Sequence, residues 1–196
     1  QAQAKRQEAK TTSASLDEYL HSLEIEIVIA PASREASARL VQLFNKTNQF
    51  NLTTQRYQAE DVGKFMASAE TILYDLHVKD RFGDHGLVGA AVVQKGPGVW
   101  HIDSLLMSCR VMGLGIETAF LERICSDAAR AGVMRLVGEF RATKKNHPVT
   151  EFYAHHGFGL LKENGEHQEW ELNLSQAGIA RPVWIRVAEE RKSDDR

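Results

Sequence analysis

Two cysteines in 196 residues are too few for a disulfide framework, and Cys109 and Cys125 stand at no zinc-site spacing. No apolar run reaches the ~18 residues of a membrane span, and the N-terminus lacks the charged-then-apolar pattern of a signal peptide. An excess of one charge sign is also missing. Lys and Arg number 24 against 26 Asp and Glu, and a net charge of −2 gives no overall footprint for nucleic acid or an anionic membrane. No internal repeat is visible. What remains, 43% hydrophobic and 26% charged residues, is the composition of a globular domain. A chain of this length buries roughly 70% of its unfolded surface, enough for one full core. The expectation is a cytoplasmic α/β protein with one domain.

The two ends differ from the middle. Residues 1–22 are mostly polar and read as a linker or helix remnant, with the chain expected to be a piece of a longer protein. Residues 176–196 read as a C-terminal extension, and 23–175 as the folded domain. Within that domain, Glu24 to Ile29 alternates with period two, a strand with one buried face. Ala36, Leu40, Leu43 and Phe44 recur at helical spacing, and a second short helix centres on Val62, Phe65 and Met66. Strands follow over 71–78, 87–93 and 99–107, with turns at 82–86 and at Gly96-Pro97-Gly98. A helix from Ile116 to Ala131 leads to a fifth strand at 134–140, a short helix at 149–155 and a last pair of strands. The order is β-α-α-β-β-β-α-β-α-β-β. Short turns make strands two to four antiparallel, and the long helix makes strands four and five parallel neighbours that splay into a crevice.

Glycines carry the first motif. Arg110-Val111-Met112-Gly113-Leu114-Gly115 follows a strand and opens a helix, where backbone N–H groups can approach a phosphate. By itself R-x-x-G-x-G is weak and more often marks a tight turn. A second block accompanies it: Asn146, Val149, Phe152, Tyr153, Gly157 and Phe158. Together, in this order and on these elements, the two resemble the Gcn5-related N-acetyltransferase (GNAT) fold over about residues 23 to 174. The resemblance implies a mixed central sheet, with the first motif cradling the pyrophosphate of coenzyme A and the second packing along its pantetheine arm.

Three further blocks look like the C-terminal half of FkbH-like proteins: Asn45 to Thr54, Asp80 to Asp84, and Ser108-Cys109-Arg110-Val111-Met112-Gly113. Such proteins join a haloacid-dehalogenase (HAD) phosphatase-type half to a GNAT-like half. They move a glyceryl unit from 1,3-bisphosphoglycerate to an acyl carrier protein for polyketide assembly. Gly113-Leu114 departs from the Gly-Arg of that pattern, so one cationic contact is missing. No D-x-D occurs in the chain, so the phosphatase chemistry and its Mg2+ are expected in an upstream domain. The resemblance implies no metal and no resident cofactor here; the phosphopantetheine of the carrier protein is the acceptor.

Cys109 ends the fourth strand at the mouth of the crevice. Arg110 and the following helix end favour the thiolate, the nucleophilic form, and the resemblance makes it the acyl carrier. The competing reading is a small buried hydrophobe. Cys125, in phase with Leu121 and Ala128, reads as core. A base is harder to find. His101 lies roughly 26 Å along the strand from Cys109. His85 reads as a turn histidine near the crevice, catalytic or merely solvated, and Asp84 as a catalytic partner or a turn cap. His147, His155 and His156 match no metal spacing. Tyr153 stands where many GNAT enzymes keep a general acid, or else packs between Phe152 and Phe158. Arg110, Gly113, Gly115 and Asn146 are the expected cofactor-arm contacts, although Asn146 equally suits a helix cap. Asn48, Gln49, Asn51, Thr53, Thr54 and Arg56 supply neutral donors and a cation for a glycerate, unless they only bond one another. Glu117, in the first helical turn, would repel a pyrophosphate, so the loop is expected to meet the single phosphate of a carrier-bound arm.

Two other functions remain open. One is an acetyl-CoA-dependent N-acetyltransferase with Tyr153 as acid. The other is a non-catalytic module that docks a carrier protein.

Overall fold

The computed structural model describes residues 6, 9–11, 14–176 and 178–188. Among these residues nine strands form one sheet in the order β7-β8-β6-β5-β4-β3-β1-β9, with β2 paired to β5 off that path. The strands are β1 (Ile25–Pro31), β2 (Phe50–Asn51), β3 (Thr71–Asp80), β4 (Gly83–Lys95), β5 (Val99–Met107), β6 (Arg135–Arg141), β7 (Gly159–Asn164), β8 (His167–Asn173) and β9 (Ile185–Val187). The helices are α1 (Leu16–Ser22), α2 (Ser37–Lys46), α3 (Ala59–Ala67), α4 (Ile116–Arg130) and α5 (Phe152–His155). β3, β4 and β5 are antiparallel neighbours, and β5 runs parallel to β6, as the turn lengths and the crossover helix require.

Two hydrophobic cores flank the sheet. Leu40, Leu43 and Phe44 of α2 and Val62 of α3 pack with Leu73, Val92 and Leu106 on one face. Phe120, Leu121 and Ile124 of α4 pack on the other with Ile27, Ile102 and Leu136, and Phe152 and Tyr153 of α5 join them. Cys125 belongs to this second core, and burial pushes its thiol up to about 12, with the Glu122 charge adding to the effect. Among the described residues no helix is long and apolar enough to cross a membrane.

Within residues 1–22, α1 is capped by Ser15 and buries Tyr19 and Leu20 in the second core. Within 176–196, β9 pairs in parallel with β1 and Ile185 is buried. Residues 189–196 lie outside the described residues.

A buried charge cluster ties the N-terminal segment to the domain. Arg6, 5% exposed, donates from Nε to Asp80 Oδ2 at 2.6 Å and from NH1 to the Arg110 carbonyl at 2.7 Å. Its NH2 lies 2.8 Å from His85 Nε2. Burial would raise the Asp80 carboxyl, but the Arg6 bond and charge, the Phe82 amide and His85 outweigh it and hold the group below its usual range.

The opposite extreme of tightness is Gly138 of β6. A Cβ there would stand 2.2 Å from Tyr153 Cζ and 2.5 Å from its hydroxyl, so glycine is what lets the Tyr153 ring lie on the strand.

Two outcomes follow for stability. Gly138→Ala should cost about 2–3 kcal/mol in urea unfolding, the range of core overpacking; a loss within about 0.5 kcal/mol contradicts the packing. Arg6→Ala strands the Asp80 carboxylate and should cost roughly 3 kcal/mol at neutral pH. Because the folded Asp80 is depressed, its stabilisation is present above about pH 4 and fades as pH falls through the folded value. The variant should therefore lose least, relative to the parent, in acid.

Candidate active site

Parallel strands that diverge leave unpaired backbone groups along the inner edges of both. β5 and β6 pair from Val99↔Arg135 to Ile102↔Gly138 and then part. The gap beyond is filled. Phe50 and Asn51 of β2 pair antiparallel with Met107 and Leu106, and the Leu52 amide donates to the Leu105 carbonyl at 3.0 Å. On the other side the Arg141 amide donates to the Leu52 carbonyl at 2.8 Å. Residues 50–52 are thus a wedge bonded to both strands.

Asn146 clamps the wedge. Fully buried, it donates from Nδ2 to the Asn51 carbonyl at 2.9 Å and the Arg141 carbonyl at 2.8 Å, while its Oδ1 accepts from the Thr143 amide and hydroxyl. Its role is structural, which corrects the expectation that it contacts a pantetheine arm. Asn51 is equally internal: its Nδ2 donates to the Thr47 carbonyl and its Oδ1 accepts from the Thr54 amide. Thr54 closes that turn at φ 55°, in the left-handed region, and Thr53 is 2% exposed. Arg56 donates to the Phe44 and Thr47 carbonyls and to Asn48, so it caps the end of α2 rather than waiting for a phosphate.

Cys109 escapes this sealing. β5 ends at Met107, Ser108 bonds back through its amide to the Val88 carbonyl, and a 3-10 turn starts at Cys109, which is exposed. The core reading of this cysteine is therefore excluded. The residue stands on the wall of a cleft of about 870 Å³ between α2 and the loop at 144–148. Arg39, Lys46, Arg110, Lys144 and Lys145 line it, with no carboxylate among the described lining residues. Asn48 and Gln49 also line it. Cys109 and Arg110 border a second, smaller hollow with Lys10, Tyr19 and Gly113.

Apart from Arg110, these cations were not anticipated, although they leave a trace in the sequence. Arg39, Gln42 and Lys46 stand three and four residues apart, on one face of α2. Lys144-Lys145 immediately precedes the Asn146 motif.

Other expected residues lie elsewhere. His85 is an extra residue at a bulge between β3 and β4, its side chain 8% exposed and its Nε2 between Arg6 and Asp80 Oδ1 at 3.2 Å. It is neither a solvated turn histidine nor part of the cleft lining. Asp84 accepts from the Gly86 amide at 2.7 Å, the turn-cap alternative. Tyr153 is 1% exposed with its hydroxyl sealed and unpartnered, and burial pushes that hydroxyl well above its ordinary range. It packs with Phe152 and Phe158, so it does not face the Cys109 cleft. At the helix end expected to favour a thiolate, Gly113 and Gly115 take φ of 76° and 81°, and burial raises the Glu117 carboxyl, whose Oε2 is sealed from solvent without a partner. Arg110 remains at the cleft, donating to Ser108 Oγ at 3.2 Å.

One acid cluster was missed. Asp103 is the extra residue where the β4–β5 register shifts, and Tyr57 donates its hydroxyl to Asp103 Oδ2. Burial raises the Asp103 carboxyl above its usual range, the Tyr57 bond opposes this, and the Glu139 charge adds to it. No group of three or more His, Cys, Asp or Glu poised for a metal exists among the described residues.

No model of a known protein family matches the chain, and no curated protein matches it in sequence. Solved structures do match it in fold. The ribosomal-protein-S18-alanine N-acetyltransferase of Escherichia coli superposes with a TM-score of 0.60 at 14% identity, over 78% of this chain and 96% of that one. Spermidine N-acetyltransferase of Vibrio cholerae, solved with CoA and spermine, gives 0.58 at 12% identity over 76% and 96%. PaiA N-acetyltransferase of Thermoplasma acidophilum, solved with coenzyme A, gives 0.57 at 13% over 75% and 98%. The chain has the mixed α/β fold of the GNAT acetyltransferases.

Proposed function

We propose that this chain is an acyltransferase domain that carries its acyl group on Cys109. It takes a glyceryl unit from 1,3-bisphosphoglycerate and passes it to the phosphopantetheine thiol of an acyl carrier protein. The observation that carries this reading is the exposed Cys109 on the wall of a cleft whose charged lining, among the described residues, is cationic. Such a lining suits an anionic donor and an acidic partner, and Arg binds phosphate in a bidentate fork.

The chemistry needs little from the protein beyond position. The Cys109 thiolate attacks the acyl-phosphate carbonyl; a carbon–sulfur bond forms, the carbon–oxygen bond breaks, and phosphate departs into the basic cleft. A carrier thiolate then attacks the thioester, its own carbon–sulfur bond forming as the bond to Cys109 breaks. The second step exchanges one thioester for another and is nearly thermoneutral, so alignment and charge stabilisation supply the rate. Asn48 and Gln49, which line the cleft, would bond the glycerate hydroxyls. Removal of the remaining phosphate falls to a HAD-type phosphatase domain with its Mg2+ upstream of this chain.

A second reading, N-acetylation with acetyl-CoA, is favoured by one observation: burial raises the Asp103 carboxyl on β5 above its usual range, the direction a general base needs. The wedge at 50–52 weighs against it, since it fills the gap between β5 and β6.

Intact-mass spectrometry separates the two. After incubation with 1,3-bisphosphoglycerate and the phosphatase domain, a glyceryl adduct should appear, be absent in Cys109→Ala, and discharge onto a holo carrier protein. Acetyl transfer to amines from acetyl-CoA, with no adduct on Cys109, contradicts the proposal.

A further inference from the structure

Arg110 is exposed beside Cys109, and a solvated arginine has to be ordered each time it grips a phosphate. Here the ordering is built in. Arg110 donates from Nε to Ser108 Oγ at 3.2 Å and from NH2 to the His85 carbonyl at 3.5 Å. Its own carbonyl accepts from Arg6 NH1 at 2.7 Å. His85 is fixed by Arg6 in turn, with Nε2 of the one 2.8 Å from NH2 of the other. The contacts close a ring: Arg6 to the Arg110 main chain, the Arg110 side chain to the His85 main chain, and the His85 side chain back to Arg6.

Asp80 anchors that ring. Its Oδ2 accepts from Arg6 Nε, while its Oδ1 accepts from the Phe82 amide at 2.8 Å and lies 3.2 Å from His85 Nε2. All three nitrogens of the Arg6 guanidinium therefore have partners, and the side chains of Arg6, Asp80 and His85 are buried. A planar fork held on three sides in a buried site is a rigid support. Arg110, by contrast, lines both the large cleft and the smaller hollow, so the support ends at the surface that a ligand meets.

We propose that Arg6 is a positioning residue for the chemistry at Cys109: it holds Arg110 on the cleft wall, ready for the phosphate that leaves the acyl donor. Arg6 does not line that cleft and acts through Arg110 and His85. Ordering Arg110 in advance removes a cost that would otherwise fall on ligand binding. The use made of the phosphate rests on the Cys109 reading; the hold on Arg110 does not. Arg6→Lys is the informative substitution, because it keeps a cation for Asp80 but lacks the fork that reaches the Arg110 carbonyl and His85 together.

Side-chain NMR of the full chain reads the hold directly. The Arg110 Nε–H resonance should be that of an ordered arginine in the parent and move to the position of a solvated one in Arg6→Lys. The Arg123 Nε–H resonance, bonded to Asp127 on α4, should stay in place as the control for folding. Inorganic phosphate should protect Cys109 of the parent from iodoacetamide, read by intact mass, and Arg6→Lys should weaken that protection about fivefold or more. Arg110→Gln should weaken it at least as much, and the double variant no further, as residues acting in series require. Arg6→Ala/Asp80→Ala, which removes the buried pair whole, takes the place of Arg6→Lys if that variant does not fold, with the same outcomes expected. An Arg110 signal that stays put overturns the proposal. So do losses that multiply in the double variant, protection that Arg6→Lys leaves intact, and a parent that phosphate does not protect. The glyceryl adduct is scored separately: its absence, with the coupling intact, refutes the acyl-carrier reading and leaves the hold on Arg110 standing.

Discussion

Backbone hydrogen bonding where β5 and β6 separate governs the arrangement of this protein. Two parallel strands that splay inside a core expose N–H and C=O groups that must find partners. This chain meets the demand internally, with the Leu105 carbonyl, the Leu52 carbonyl and the Arg141 amide all bonded through the wedge at 50–52. Asn146 locks the wedge from a residue ninety-five positions away in sequence. With the notch closed, Tyr153 is left in a dry core, and the open surface moves to the cleft between α2 and 144–148. The exposed thiol sits there.

Electrostatics divides the two sides of the 108–117 segment. On the cleft side Arg110 joins Arg39, Lys46, Lys144 and Lys145. At the loop, the Glu117 carboxyl is buried, with its Oε2 sealed from solvent. The net charge of −2 conceals this partition, because local sign decides what approaches a site. Arg6 adds a link of its own, bonding both the Asp80 carboxylate and the carbonyl of Arg110, the residue that follows Cys109.

Much of the fold was readable from periodicity. β1, β3, β4 and β5 announce themselves by alternation or continuous apolar runs between turn residues, and α4 by its length and its glycine boundaries. β2 and β9 do not, because two or three residues carry no period and owe their conformation to distant partners. The same distance hid the clamp. Asn146 reads as a helix cap or an arm contact, and nothing nearby in sequence shows that its amide bridges residues 51 and 141. Cys109 was legible because a strand end followed by a glycine loop exposes what lies between. The cationic wall was half legible, spaced along α2 at three and four residues and doubled at 144–145, yet only folding brings the two halves together. Glu117 could be placed at the helix start from sequence, but not the direction of its carboxylate.

Closure of the strand notch is the claim on which the rest stands, and amide hydrogen exchange at Leu52 and Arg141 measures it most directly. Both amides should exchange as slowly as those in the centres of β4 and β5, and millimolar coenzyme A should leave the rates unchanged. Fast exchange at Leu52, or protection at either site that falls when coenzyme A is added, would mean that the wedge yields to a ligand.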